Sequence, residues 1–270
     1  MASLFCYNKW KEKERISNYQ YSFINIQLKM RISLIGYGKM GKEIEKIALS
    51  RGHQIVYKID IDNQEDLEKI SPENTDVAIE FTTPHTAFSN VQKCLSQGVS
   101  IVCGSTGWND KLDEAKKLCL IKNTSFLWAS NFSIGVNLFF KINAQLARLM
   151  NKVDVYEPRL KEIHHTQKKD APSGTAITLA EGLLKNYEAK KEWKLAPENG
   201  KDSLIITAER TGDIPGTHVV TYESEVDLIE ISHIAKSRQG FALGAVVAAE
   251  FICNKKGNFS MDDVLGLIDN

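Results

Sequence analysis

From Met30 onward the apolar positions follow two alternating rhythms. Arg31 to Ile35 (RISLI) is a short apolar run of strand length, after which Met40, Ile44, Ile47 and Ala48 recur at helical spacing up to Leu49, and Arg51-Gly52 closes the helix. Gln54 to Ile59 is a second strand ending in Asp60, and a crossover of that length implies that the two strands run parallel. The alternation continues with strands over 76–81, 99–103 and 125–129 and helices over 85–97 and 110–122. Repetition of this kind predicts an α/β fold, an open parallel sheet of the Rossmann-like type with helices on both faces.

After a long helix over 136–150 the rhythm changes. Residues 153–164 read as extended and 175–186 as helical, and three strands at 204–209, 217–222 and 226–235 are separated by short polar or Gly-containing turns. Strands returning through short turns predict an antiparallel or mixed sheet, hence an α+β unit beginning near Ser133. Gly240 to Phe251 (GFALGAVVAAEF) predicts an apolar helix, with another over 261–268, and a chain that returns from a second domain often closes its first with a terminal helix. The expected organisation is a first domain of residues 30–132 and 241–270, a second of 133–240, and an extension of residues 1–29 that is disordered or not native to the protein. Lys185 to Ser203, rich in Lys and Glu, reads as a solvated connection.

Composition narrows the class. The 270 residues are 43% hydrophobic and 25% charged, with 34 Lys+Arg against 34 Asp+Glu. That excludes a disordered, collagenous or disulfide-stapled chain, and the length suits one large domain or two ordinary ones. Zero net charge argues against nucleic acid as the main partner, because phosphate neutralisation requires a surplus of cations. No apolar run nears the ~20 residues of a membrane helix, and the extension lacks the apolar core of a signal peptide. Cys6, Cys94, Cys103, Cys119 and Cys253 form no C-x-x-C pair and read as reduced thiols of a cytoplasmic protein.

Several strand ends carry chemistry. Gly36-Tyr37-Gly38-Lys39-Met40-Gly41 has the spacing G-x-G-x-x-G, follows a strand and opens a helix, so its amides can meet a pyrophosphate. Asp60 ends the next strand, where an acid accepts hydrogen bonds from a ribose 2′-hydroxyl and repels a 2′-phosphate; it also suits a turn start. The cofactor expected is a nicotinamide dinucleotide, NADH in preference to NADPH, with Lys39 and Lys58 close enough in sequence to admit NADPH. Gly104-Ser105-Thr106-Gly107-Trp108 and Ala129-Ser130-Asn131-Phe132 follow two further strands on the same edge, where ligands of open α/β sheets bind.

The densest constellation is Glu162 to Ala176 (EIHHTQKKDAPSGTA). Pro172 and Ser173 suit a helix start with Ser173 as N-cap, which aims the amides of Gly174 and Thr175 outward from a positive helix end, a site for a substrate carboxylate. Zinc is disfavoured, because the adjacent imidazoles of His164 and His165 on an extended chain point to opposite faces and no Cys or Asp completes a ligand set. An acid, base or anion-binding role is better motivated for His164, His165 and Lys168. Closely spaced cations, Lys169 included, favour proton loss from a Lys, and Asp170 opposes it.

The same segment resembles the signature HHxxKxDAPSGTA of the dihydrodipicolinate reductase family, which serves the diaminopimelate route to lysine. GYGKMG, GSTGW, ASNFSIGVN, RTGDIPGTHVV and ISHIAKSRQGFALGA support the likeness in order, from Met30 to about residue 250. GYGKMG is one residue shorter than the GxxGRMG of many members, and Ser105 replaces a commoner Thr while keeping a hydroxyl. The resemblance implies NAD(P)H-dependent reduction of 4-hydroxy-tetrahydrodipicolinate, a cyclic dicarboxylate, by a homotetramer built through the sheet of the second domain. It implies His164 as active-site proton donor or acceptor, Lys168 as proton donor, His165 as substrate ligand, and Gly174 with Thr175 as the carboxylate clamp. By the same carry-over Gly36 to Gly41, Asp60, Gly104 to Thr106 and Ala129 to Phe132 line the cofactor site.

Two rival readings differ in kind. An NAD-dependent dehydrogenase of another small amino or hydroxy acid is opposed by HHTQKKDAPSGT, and a dinucleotide-sensing regulator by the want of a basic or helix-turn-helix element. The zero net charge is itself a sum of unlike parts, since residues 1–30 hold five Lys+Arg against two Asp+Glu and the remainder 29 against 32. A dianionic substrate is therefore drawn by the local cluster of His164, His165, Lys168 and Lys169 rather than by overall charge.

Overall fold

The computed structural model describes residues 29–267, so the expected extension, Lys29 apart, and the end of the helix expected over 261–268 lie outside the described residues. In chain order the elements are β1 (Arg31–Ile35), α1 (Lys39–Ser50), β2 (Gln54–Ile59), β3 (Val77–Glu80), α2 (Pro84–Ser96), β4 (Ser100–Cys103), α3 (Leu112–Ile121) and β5 (Ser125–Trp128). There follow α4 (Ile134–Met150), β6 (Glu157–His164), α5 (Gly174–Leu184), β7 (Glu192–Leu195), β8 (Ser203–Arg210), β9 (Thr217–Glu223), β10 (Leu228–Ile234), α6 (Gln239–Ile252), β11 (Gly257–Phe259) and α7 (Met261–Leu265).

The first sheet has the order β11-β5-β4-β3-β1-β2 with all neighbours parallel. The direction of winding reverses between β1 and β3, which leaves a crevice beyond their carboxyl ends. Period-two geometry divides the strand side chains between two apolar layers. Ile32, Leu34, Val77 and Ile79 pack on Ile44 and Ala48 of α1 and on the apolar face of α6. Ile35, Ala78, Ile101 and Phe126 pack on Val91 of α2 and Ala115 of α3. Covered on both faces, these strands read in sequence as near-continuous apolar runs.

Although α6 follows the second sheet in sequence, it covers the first, and a buried ionic cluster ties it there. Glu250 of α6 accepts from Arg51 Nε at 2.7 Å and Nη2 at 2.8 Å, and meets His53 Nε2 at 2.8 Å. Burial pushes the Glu250 carboxyl up, but the hydrogen bonds from His53 and Arg51 outweigh it and hold the group below the usual carboxylate range.

The second sheet, β10-β9-β6-β8-β7, is mixed: β7, β8 and β6 run parallel, and β6, β9 and β10 alternate. β6 lies between β8 and β9, so these two strands are joined by a short connection without being paired. One face packs Leu160, Ile206 and Val220 against Phe139 of α4 and Leu179 of α5. Along β6, Glu157, Arg159 and Lys161 are exposed while Pro158, Leu160, Glu162 and His164 are buried. The alternation thus sets two ionisable groups at core positions.

Lys185 to Ser203 is not merely a solvated connection, because β7 lies within it and pairs with β8. Its Trp193 and Leu195 pack against the core, but four residues on a sheet edge between Lys and Glu give too short an alternation to stand out in sequence. The three residues of β11, which extend the first sheet beside β5, are hidden for the same reason. The last helix stops at Leu265, where Gly266 takes a left-handed φ of 63°.

Candidate active site

The turn between β1 and α1 is shaped for an anion. Gly38 begins α1 with no side-chain cap, and no acidic residue occupies the first turn, so the helix-start amides are left for a ligand. Gly36 has φ +91°, and a Cβ there would lie 2.1 Å from the Phe81 carbonyl oxygen, so only glycine lets the turn press onto the end of β3. Beneath it, buried Glu80 accepts from the Thr82 amide at 2.9 Å, the Thr82 hydroxyl, the Ser105 hydroxyl at 2.9 Å and the Cys103 thiol at 2.8 Å. The Ser105 hydroxyl also accepts from the Thr82 amide at 2.8 Å, so Ser105 braces two loops from within. Asp60 caps the 3-10 turn that follows β2, its Oδ1 accepting the Ile61 amide at 3.0 Å.

A cavity of about 770 Å³ opens between the two sheets' loops. Met40, Phe81, Thr106, Gly107, Ser130 and Asn131 line it from the first sheet's side. His164, His165, Lys168, Ser173, Gly174 and Thr175, the whole set expected to handle substrate, line it from the other. Asn131 Nδ2 donates to the Thr175 hydroxyl at 3.1 Å and bridges the two walls. A second cavity of about 710 Å³ shares Pro215 and Arg238 with the first and is lined by Tyr37 and Lys39. Gly36, Gly38, Gly41, Gly104, Ala129 and Phe132 shape these loops without lining either cavity, and Asp60, Ser105 and Lys169 also stand outside both.

Ser173 caps α5, its hydroxyl accepting the Ala176 amide at 3.2 Å, which leaves the Gly174 and Thr175 amides without intrahelical partners. Lys168 Nζ bonds both oxygens of Asp170 at 2.8 Å. Burial pushes the Asp170 carboxyl up, and the Lys168 hydrogen bond and charge more than offset this, so it is held low.

Behind these residues lies Glu162, fully buried. It accepts the Ser173 amide with both oxygens at 3.1 Å and Arg210 Nη2 at 2.9 Å, and faces His164 Nδ1 at 3.4 Å and His218 Nε2 at 3.7 Å. Burial pushes its carboxyl up, but hydrogen bonds from His218, Ser173 and Arg210 bring it down to about 2. For His164 burial is again the largest effect and lowers the imidazole; Glu162 pulls it back up, His218, Lys168 and Arg210 push it down, and it settles at about 4. At neutral pH the pair is therefore an ionised carboxylate beside a neutral imidazole.

His164 and His165 both line the large cavity, contrary to the opposite-face expectation, because β6 ends at His164 and the alternation stops there. Glu162, His164 and His218 offer donor atoms within 4.8 Å of one another, an arrangement that spacing alone does not reveal because the third group comes from β9. The Glu162 oxygens are engaged by a guanidinium and an amide, a setting that satisfies a carboxylate without a metal ion. Arg210 and His218, which the structure sets against Glu162, are candidate positions that sequence reasoning missed. The signal for His218 was its phase with Val220 and Tyr222, which marks it as inward-facing on β9.

A parallel sheet with a glycine turn at its switch point, facing an anion-binding helix start and a buried His-carboxylate pair, defines the class: a Rossmann-type pyridine-nucleotide oxidoreductase. Relatives make this specific. Family models described as dihydrodipicolinate reductase, N-terminus and C-terminus, match residues 30–132 and 135–265. The chain is 48% identical over 236 residues to 4-hydroxy-tetrahydrodipicolinate reductase of Christiangramia forsetii, across 87% of the chain and 98% of that protein. It is 37% identical over 244 residues to the same-named protein of Methanosarcina acetivorans, across 87% and 89%. The solved structure of dipicolinate-bound dihydrodipicolinate reductase from a Paenisporosarcina species matches with a TM-score of 0.71 at 23% identity, over 87% of the chain and 99% of that structure, a likeness of fold. The chain belongs to the dihydrodipicolinate reductase family.

Proposed function

We propose that the chain reduces 4-hydroxy-tetrahydrodipicolinate to tetrahydrodipicolinate in the diaminopimelate route to lysine, with NADH preferred over NADPH. The observation that carries this reading is the convergence of His164, His165, Lys168, Ser173, Gly174 and Thr175 on the cavity that the loops of the first sheet also line. When bound, the dinucleotide would supply a hydride to the ring carbon made electron-poor, in conjugation with the substrate imine, by departure of the 4-hydroxyl as water. The amides of Gly174 and Thr175, at the positive end of α5, hold a substrate carboxylate, and His165 contributes a further hydrogen bond. Lys168 Nζ releases Asp170 and gives its proton to the substrate. Neutral His164 serves as a hydrogen-bonding partner in that transfer rather than as the stored acid.

The NADH preference rests on Asp60 at the end of β2 and on the fate of Lys58. The Lys58 ammonium is 2.5 Å from Glu45 and lies over the Tyr37 ring at 5.2 Å, so it is not free to pair with a 2′-phosphate. Residues 30–132 with 241–270 form the nucleotide domain in this reading, supported by the packing of α6 and β11 on the first sheet. The substrate domain spans 133–240, and the open face of its sheet, with Leu228 and Ile234 exposed on β10, carries a homotetramer. A cytoplasmic location accords with the free thiols of Cys94, Cys103, Cys119 and Cys253; among the described residues no helix is long and apolar enough to cross a membrane.

The test is NADH oxidation followed by absorbance, with substrate formed in situ by a synthase from pyruvate and aspartate semialdehyde. Consumption that depends on both precursors is expected, with kcat/KM higher for NADH than for NADPH. No consumption above the blank would return the chain to the broader class of amino- and hydroxy-acid dehydrogenases. Light scattering reads the assembly.

A further inference from the structure

We propose that Glu162 is the positioning residue of this site, holding the first turn of α5 and the imidazole of His164 in the arrangement that the substrate meets. The inference rests on the functional reading above. Glu162 occupies an inward position of β6 between Leu160 and His164, where a sheet packed on helices ordinarily carries an apolar side chain. A carboxylate there is costly unless its lone pairs are engaged, and both oxygens are. What engages them is the substrate-binding apparatus itself. The Ser173 amide opens the helix that presents Gly174 and Thr175, and Arg210, opposite His164 on β8, also donates to the Asp170 carbonyl at 2.6 Å. One carboxylate therefore ties strand, helix start and the loop bearing Lys168.

The second consequence concerns the imidazole. His164 Nδ1 is buried with no hydrogen-bond partner among the described residues, and a polar atom facing it, at 3.4 Å, belongs to Glu162. An ionised carboxylate only accepts, so the favoured tautomer carries its proton on Nδ1 and leaves Nε2 as the acceptor. Residue 216 leaves room for that ring position, since a Cβ on Gly216 would lie 3.1 Å from Nε2. His218, paired opposite Glu162 on β9, completes the enclosure with Nε2 at 3.2 Å from the Ser173 hydroxyl. The charged and titratable groups facing the pair are thus Arg210 from β8, His218 from β9, and Lys168 and Asp170 from the loop.

Two measurements test this. In wild-type protein labelled with 15N-histidine, a long-range 15N–1H correlation spectrum at neutral pH, with His164 assigned from its loss in His164→Gln, should report the Nδ1–H tautomer; the Nε2–H tautomer would overturn the proposal. In Glu162→Gln, kcat should fall at least about tenfold and substrate KM rise several-fold, while the NADH dissociation constant stays within about twofold and the Nε2–H tautomer gains population. Glu162→Asp, which keeps the charge, should recover part of kcat. A purely structural role would lower thermal stability, turnover and NADH binding together and leave the tautomer alone, and that result, or kcat and KM both within about twofold of wild type, would also overturn it. Should Glu162→Gln fail to fold, the wild-type spectrum still decides. Absence of wild-type turnover would fail the functional reading, whereas the tautomer reports on Glu162 independently.

Discussion

Glu80 at the end of β3 and Glu162 near the end of β6 are both fully buried, and they are satisfied by unlike partners. Glu80 takes an amide, two hydroxyls and a thiol, all neutral. Glu162 takes a guanidinium and an amide and faces two imidazoles. Neutral donors brace the loops beyond β3 and β4 through hydrogen bonds to Glu80, with no ion pair among its partners. The charged set couples Glu162 to the protonation of its neighbours, which suits a region where a proton has to move. Changes near Glu80 should therefore register in cofactor binding, and changes near Glu162 in turnover.

The largest expected effect lies on the proton side. Lys168→Ala should lower kcat by at least about a hundredfold, within the range of a lost general acid, in the coupled NADH-oxidation assay. Next comes the acid dependence of stability. The folded-state pKa of His164 lies below its unfolded value, so the native state binds fewer protons, and the stabilisation present at neutral pH is lost as pH falls from about 6.5 through about 4. Urea unfolding between about pH 7 and pH 4.5 should show a loss of about 2 kcal/mol from this group, flattened in His164→Gln. Glu162 adds a later limb of the same sign, from about 4.5 down to about 2.

Smaller effects sharpen the other side of the contrast. Glu80→Gln should raise the KM for NADH by about five- to tenfold with kcat within about twofold, since it loosens Thr82 and Ser105 but touches no proton path. A loss confined to kcat would erase the distinction between the two carboxylates. Smallest is Glu45→Gln, which frees Lys58 and should shift the NADPH to NADH ratio of kcat/KM by about threefold toward NADPH.

The two regions also differ in how far their sequence discloses them. The first sheet, β11 apart, is legible because doubly covered strands are continuous apolar runs, and because the glycine turn and Asp60 stand beside the strands they serve. The loop from His164 to Thr175 is legible because its groups are consecutive. What lies behind it is not. Glu162 meets His218 and His164 meets Arg210 only through the registers of β6 with β9 and β8, pairings between segments some fifty residues apart that local periodicity does not encode. Ser105 illustrates the converse, since its place at a strand end suggests a ligand contact while Glu80, 25 residues earlier, takes its hydroxyl inward.

The central claim is that the loops of the first sheet hold the dinucleotide while groups of the second deliver the proton. Equilibrium titration of Lys168→Ala with NADH tests it most directly. The dissociation constant should stay within about twofold of wild type despite the lost turnover, and a weakening of about tenfold or more would contradict the division of labour.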